Sequence, residues 1–84
     1  MPRPRKRLKV VEKKLGRERA WGQAYKGEKM IEIDPRMRSK QRLNVLIHEA
    51  LHIHFPDLSE TAVDKAASFL SNTVWEDQYR RIQP

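Results

Sequence analysis

Cysteine is absent from this 84-residue chain, so the sequence can form neither a disulfide nor a thiolate metal site. A metal ion would have to be bound by histidine, aspartate or glutamate. Aromatic residues make up 7% of the chain and hydrophobic residues 38%, enough for one small core. No apolar run approaches the ~20 residues that cross a bilayer, and no apolar stretch follows the basic N-terminus as in a secretory signal. We therefore expect a cytoplasmic protein with no membrane partner.

The positive charge is concentrated at one end of the sequence. The formal net charge is +7, and residues 1–19 contain nine lysines and arginines against two glutamates, which accounts for all of it. This basic segment has two interpretations: a binding role, or a solvated edge strand that its charges protect from aggregation. We divide the single domain into residues 1–19, a basic arm with the first strand, and residues 20–84, which hold a candidate metal-binding motif. A basic arm can attract a phosphate backbone, and the candidate contacts are Arg3, Arg5, Lys6, Arg7 and Lys9.

Residues 6–34 have the pattern of β-structure. Residues 6–11 have strand character, and residues 20–25 and 29–34 are two short segments that three residues separate. Gly27, between them, suits the positive-φ position of a tight turn, so the pair is predicted to form a hairpin. Pro35 has no N–H to donate and ends the second segment.

The second half of the chain has the pattern of two helices. Ser39 can cap a helix that runs to about Phe55, where Pro56 ends it. Ser59 is the next candidate cap, and Glu60 lies in the first turn, where the helix dipole favours an anion. The second helix has apolar residues at helical spacing, namely Val63, Ala66, Ala67, Leu70 and Val74.

The expected fold is α+β: a small three-stranded, mostly antiparallel sheet packed on a two-helix hairpin. Only about four residues join the two helices, which predicts an antiparallel pair. The larger aromatic side chains are expected to fill gaps around the core, and they are Trp21, Phe69, Trp75 and Tyr79.

Residues 48–52 read His-Glu-Ala-Leu-His, the H-E-x-x-H pattern. At ~100° per residue, His48 and His52 lie about 40° apart on one helix face. Two imidazoles at this spacing can bind one Zn²⁺ ion, with Glu49 beside them as a general base. The rest of this helix is apolar around nearly its whole circumference, which predicts a buried helix. The polar side chains of His48, Glu49 and His52 would then be buried too and would need partners. The alternative is a pair of histidines that only form hydrogen bonds in a core.

A catalytic zinc site needs a third protein ligand. His54 lies about 240° around the helix from His48 and cannot converge on the same point. Glu60 and Asp64 are on the facing helix, and Glu60 lies nearer its core face and reaches farther. We therefore expect Glu60 to be the third ligand and Asp64 to orient a histidine. The alternative for Glu60 is a negative charge that only interacts favourably with the helix dipole. The alternative for Asp64 is a solvent-exposed residue beside Lys65.

The stretches Leu46–His52 and Phe55–Glu60 resemble the gluzincin branch of the zinc metallopeptidases. They are most similar to very small zincin-like proteins, including phage-encoded ones, and more loosely to the IrrE/ImmA-like group. The resemblance implies a minimal zincin-like fold over residues 20–80 and a zinc-dependent metallopeptidase, in the host cytoplasm for a phage-encoded protein. The implied site residues are the ligands His48, His52 and Glu60 with Glu49 as general base.

The resemblance also implies how a peptide or protein substrate binds. In that clan a sheet edge strand above the active helix holds the substrate in extended form, which is β-augmentation. The corresponding segment here contains Trp21, Ala24 and Tyr25. The resemblance identifies no donor to the oxyanion, and the candidates by chemistry alone are Tyr25, Tyr79 and Arg80.

Two other functions fit the same residues. In the first, a nucleic-acid-associated protein uses the basic arm, and its zinc ion is structural. In the second, a small regulatory interaction protein is held together by its metal site. The sequence leaves open which peptide would be cleaved and whether the protein is a monomer or a homodimer.

Overall fold

Three short strands and two helices make up the part of the chain that the computed structural model describes, residues 7–16 and 20–79. The architecture is α+β, as expected. Within those described residues, neither helix is long and apolar enough to span a bilayer. In chain order the elements are β1 (Lys9–Glu12), β2 (Gly22–Tyr25), a 3₁₀ turn (Lys26–Glu28), β3 (Met30–Ile33), α1 (Ser39–His54) and α2 (Glu60–Glu76).

The three strands form one sheet in the order β1-β3-β2. β2 and β3 are antiparallel, with Gly22 opposite Ile33, so the predicted hairpin is confirmed. β1 runs parallel to β3, with Lys9 opposite Met30, which makes the sheet mixed rather than mostly antiparallel. The order agrees with the apolar residues, because the central strand β3 carries two isoleucines that are fully buried. The charged strand β1 is suited to an edge.

Two details of the turns and caps differ from the sequence-based expectation. Gly27 does not have a positive φ, and the residue in the left-handed region is Lys29, with φ of 46°. The connection is a 3₁₀ turn, which ordinary residues can form, and only its C-terminal cap needs that conformation. Ser39 is the first residue of α1, and its cap position is occupied by Arg38 without a side-chain hydrogen bond. Ser59 does cap α2, since its Oγ accepts a hydrogen bond from the Ala62 N–H at 3.1 Å.

The core is smaller than the sequence predicted. Its fully buried apolar side chains are Leu15, Ile31, Ile33, Val63 and Ala67. α1 is half-buried over most of its length, and Glu49 is its one buried residue, so the expectation of a largely buried helix is wrong. Three strands and one further helix cannot surround α1. The same shortage of cover leaves several expected core residues exposed, namely Trp21 (46%), Phe69 (70%), Leu70 (39%) and Tyr79 (69%).

Asp34 connects the end of β3 to the segment after β1. Its buried carboxylate accepts hydrogen bonds from the Leu15 N–H at 2.9 Å and the Arg36 N–H at 3.0 Å. The Arg36 guanidinium donates two more, from Nε at 2.9 Å and from Nη2 at 2.6 Å. The guanidinium holds the pKa of Asp34 well below its usual range, and the two backbone N–H groups act in the same direction, against the effect of burial.

We expect Asp34→Asn to lower the stability of the fold at pH 7, because an amide cannot accept all four hydrogen bonds and leaves Arg36 without its counter-ion. A pKa that is lower in the folded than in the unfolded chain stabilises the fold above the unfolded value of ~3.9. That contribution is lost as the pH falls through the folded pKa.

Urea unfolding of the wild type and Asp34→Asn should therefore give a stability difference that is constant from about pH 8 to about pH 5 and shrinks below about pH 4. If the stability difference between wild type and Asp34→Asn stays constant at acidic pH, the charge of Asp34 does not cause it.

Candidate metal centre

His48 and His52 lie one turn apart on the same face of α1 and converge on one point. Their Nε2 atoms are 3.2 Å apart, and their rings meet edge to face with centroids 4.8 Å apart. Both side chains are about one-fifth exposed. The helical spacing of four residues produces this convergence, as the motif predicted.

Glu60, the first residue of α2, reaches both imidazoles. Its Oε1 lies 2.9 Å from His48 Nε2, and its Oε2 lies 2.9 Å from His52 Nε2. The Ser59 cap fixes where α2 begins and therefore where this side chain starts. The Glu60 side chain is 65% exposed, and an exposed ion pair contributes little to stability, so this contact alone does not hold the two helices together.

Asp64 contacts the opposite ring nitrogen of His48, with Oδ1 3.1 Å from Nδ1. The carboxylate can only accept, so Nδ1 carries the proton in this contact. In a neutral His48 the lone pair is then on Nε2 and is directed towards Glu60 and His52. A carboxylate that orients a histidine in this way is common behind metal ligands.

The three candidate ligand groups need protons or a cation among them. Each imidazole Nε2 lies 2.9 Å from a different oxygen of Glu60, and the two Nε2 atoms are 3.2 Å apart. A carboxylate and two imidazole nitrogens this close repel unless protons or a cation lie between them. Ligand atoms bound at ~2.0–2.1 Å to a tetrahedral zinc ion are themselves ~3.3 Å apart. The spacing of His48, His52 and Glu60 is close to that value, so these residues could hold a metal ion.

Glu49 lies beside the three candidate ligands, with Oε1 3.7 Å from His48 Nε2. Only 8% of its surface is exposed. Burial raises the pKa of the Glu49 carboxyl, although the nearby imidazoles of His48 and His52 oppose the shift. A carboxylate with a raised pKa at the wall of a cavity has the properties of a general base.

Two adjoining cavities place the candidate metal centre in the middle of a groove between β2 and α1. Gly22, His48, Glu49 and Glu60 line both of them. The first cavity, of about 300 Å³, is further lined by Trp21, Asn44 and Val45. The second, of about 320 Å³, is further lined by Gln23, Ala24, Lys26 and His52.

Asn44 and Lys26 were missed by the sequence analysis. Asn44 precedes His48 by four residues, so a polar line of Asn44, His48 and His52 along α1 was a usable signal. Its amide donates to the buried Ser71 hydroxyl at 3.0 Å, which fixes the side chain. Lys26 reaches the site only because β2 packs on α1, and no local pattern predicts that.

The segment expected to bind substrate is partly in place. Trp21 and Ala24 line the groove, and β2 is an edge strand of the sheet. Side chains alternate along a strand, so Gly22 and Ala24 face α1 while the Tyr25 side chain faces away. The Tyr25 hydroxyl donates to Glu32 at 2.6 Å on that outer face, so this side chain does not line the groove.

The remaining candidates lie away from the site or outside the described residues. His54 is exposed and packs edge to face on Phe55, as its angle on the helix predicted. Tyr79 follows the far end of α2, about 24 Å of helix from Glu60. Among the basic candidates, Arg7 and Lys9 are exposed. Those that fall outside the described residues are Arg3, Arg5, Lys6 and the oxyanion candidate Arg80.

Comparison of this chain with known protein families, with curated proteins and with solved structures finds no match. The resemblance to gluzincins therefore depends on the motif and on the carboxylates of the second helix. Any function for this chain therefore depends on the geometry of the site.

Gly22 allows β2 to approach α1 closely. A Cβ atom there would lie 2.6 Å from Val45 Cγ1 and 3.0 Å from Glu49 Cγ. We expect Gly22→Ala to lower the free energy of unfolding by about 1–3 kcal/mol, because the added methyl forces the strand and helix apart. Urea unfolding of the metal-free protein measures this loss.

Two variants serve as controls for Gly22→Ala. A Cβ atom at Gly27 meets nothing within 4 Å, so Gly27→Ala should change stability by less than about 0.5 kcal/mol. Val45→Ala removes the contacted methyl, so the double variant should recover part of the Gly22→Ala loss. Strictly additive losses in the double variant would contradict a clash between β2 and α1.

Proposed function

We propose that the protein is a zinc-dependent metallopeptidase of minimal size, with a zincin-like α1–α2 helix hairpin that carries H-E-x-x-H. One observation carries the proposal: the Nε2 atoms of His48 and His52 lie 3.2 Å apart and each lies 2.9 Å from an oxygen of Glu60, next to the buried Glu49. The two histidines and Glu60 would hold one zinc ion, and Asp64 would orient His48.

In peptide hydrolysis the zinc ion and Glu49 would have separate roles. When bound, zinc supplies a Lewis acid and makes water a nucleophile near neutral pH. Glu49 takes a proton from the water that attacks the carbonyl carbon, and it returns the proton to the amine nitrogen as the C–N bond breaks. Its burial supports this role, because a raised pKa brings the carboxylate closer to the strength of base that the step needs.

The substrate would lie along the edge of β2. β2 pairs with β3 on one side, and its other edge borders the groove that contains the candidate centre. An extended peptide can pair with the backbone of an edge strand, which would bring one of its carbonyls near Glu49. Trp21 and Ala24 would contact its side chains.

A nucleic-acid-associated or regulatory protein with a structural zinc ion is the alternative. It is favoured by the exposed basic residues on and around β1, of which Arg7, Lys9, Lys13 and Lys14 are described. The two functions differ at Glu49, since a structural site needs His48, His52 and Glu60 but has no use for a general base.

We expect Glu49→Gln to retain zinc and to lower kcat for peptide hydrolysis by roughly 10²- to 10⁴-fold, because the glutamine cannot accept the proton. Zinc content is measured by mass spectrometry, and hydrolysis with a peptide library. Glu32→Gln is the matched control, because Glu32 is equally buried at 8% exposure but lies on the outer face of the sheet.

If Glu49→Gln and the wild type bind zinc and show the same absence of hydrolysis across the library, the zinc is structural and the peptidase proposal is wrong.

We expect His48→Ala and His52→Ala to lose both zinc and hydrolysis. Glu60→Ala should weaken zinc binding by more than the roughly 10- to 100-fold typical of an orienting residue, and Asp64→Ala by about that amount. Glu60→Asp separates the ligand role from the helix dipole, because it keeps the charge at the N-terminus of α2 but shortens the side chain.

Competition with a chromophoric chelator gives these affinities. The third-ligand assignment fails if Glu60→Ala leaves zinc affinity unchanged while Asp64→Ala lowers it, or if Glu60→Asp binds zinc like the wild type.

A further inference from the structure

Lys26 is a basic residue at one end of the groove. It follows β2 in the 3₁₀ turn and lines the same cavity as His48, Glu49, His52 and Glu60. Its Nζ donates to the Pro56 carbonyl oxygen at 3.2 Å, which links the β2–β3 turn to the connection between the helices. Lys26 and His52 line the same cavity, so Lys26 lies at the His52 end of the groove.

Within residues 7–16 and 20–79, no carboxylate neutralises the Lys26 charge. Among the described residues Nζ forms no ion pair with a carboxylate, and its recorded partner is a neutral carbonyl. An ammonium group has three N–H donors, so at least two stay available to a ligand. The other end of the groove differs, because Trp21, Val45 and Asn44 line it without a charged group of their own.

We propose that Lys26 binds a carboxylate of the substrate, so that the groove selects peptides with an acidic group at the Lys26 end. This inference rests on the proposed function. Trp21 and Lys26 are five residues apart along an extended segment, about 16 Å at ~3.3 Å per residue, so the groove holds roughly five substrate residues. With the candidate centre between the two ends, the acidic group falls two or three residues from the cleaved bond.

The net charge of +7 attracts any acidic peptide, so the test must separate Lys26 from this general effect. Lys29→Met is the matched control. Lys29 is three residues away, carries the same charge and lines a different cavity with Leu8, Ala50 and His54. Both substitutions lower the net charge by one.

The experiment compares zinc-loaded wild type, Lys26→Met, Lys26→Glu and Lys29→Met on a library of pentapeptides with blocked termini. In the wild type, kcat/KM should be roughly three- to tenfold higher for an acidic residue at one end of the peptide than for a neutral one, and not at the other end. Lys26→Met should abolish this preference, Lys26→Glu should turn it towards basic residues, and Lys29→Met should keep it. Neutral peptides with a free C-terminus show whether the terminal carboxylate serves equally well.

Binding of the same peptides to the zinc-loaded Glu49→Gln variant separates the two proposals. An acidic preference in binding that disappears with Lys26→Met supports the Lys26 assignment even if the wild type cleaves nothing, and then the peptidase proposal fails alone. The Lys26 assignment is overturned if wild type and Lys26→Met cleave with the same acidic preference. It is also overturned if Lys29→Met loses the acidic preference as Lys26→Met does. Either result leaves the peptidase proposal intact.

Discussion

The site depends on one electrostatic constraint: three acceptor groups point at the same small space. Asp64 contacts Nδ1 of His48 at 3.1 Å, while the Nε2 atom of the same ring lies 2.9 Å from Glu60 and 3.2 Å from His52 Nε2. Protons or a cation between these atoms make the arrangement favourable. The fold brings the groups together from two helices, and Gly22 lets β2 close the groove above them.

Much of the site could be predicted from the sequence, because most of it is helical. The spacing of His48 and His52 fixes their convergence, and the short connection between the helices brings Glu60 and Asp64 opposite them. The groove ends could not be predicted in this way. Lys26 reaches the site through the packing of β2 on α1, and the Tyr25 side chain is lost to the site because the register of β2 turns it towards Glu32.

The helices and strands were predicted better from the sequence than the pairing of the strands. Hairpin and helix positions follow from local patterns, but the parallel pairing of β1 with β3 is a long-range contact that no local pattern encodes. The apolar circumference of α1 indicated a buried helix, yet a chain of this size has too few elements to surround it. The one buried residue of α1 is instead Glu49, the candidate general base.

X-ray absorption at the zinc edge tests the central claim most directly, on protein loaded with one equivalent of the ion. The account predicts one tightly bound zinc per chain, with two imidazole nitrogens at ~2.0–2.1 Å and oxygen ligands at ~2.0–2.2 Å. A spectrum of zinc coordinated only by water oxygens, or the same spectrum from His48→Ala, would contradict the account.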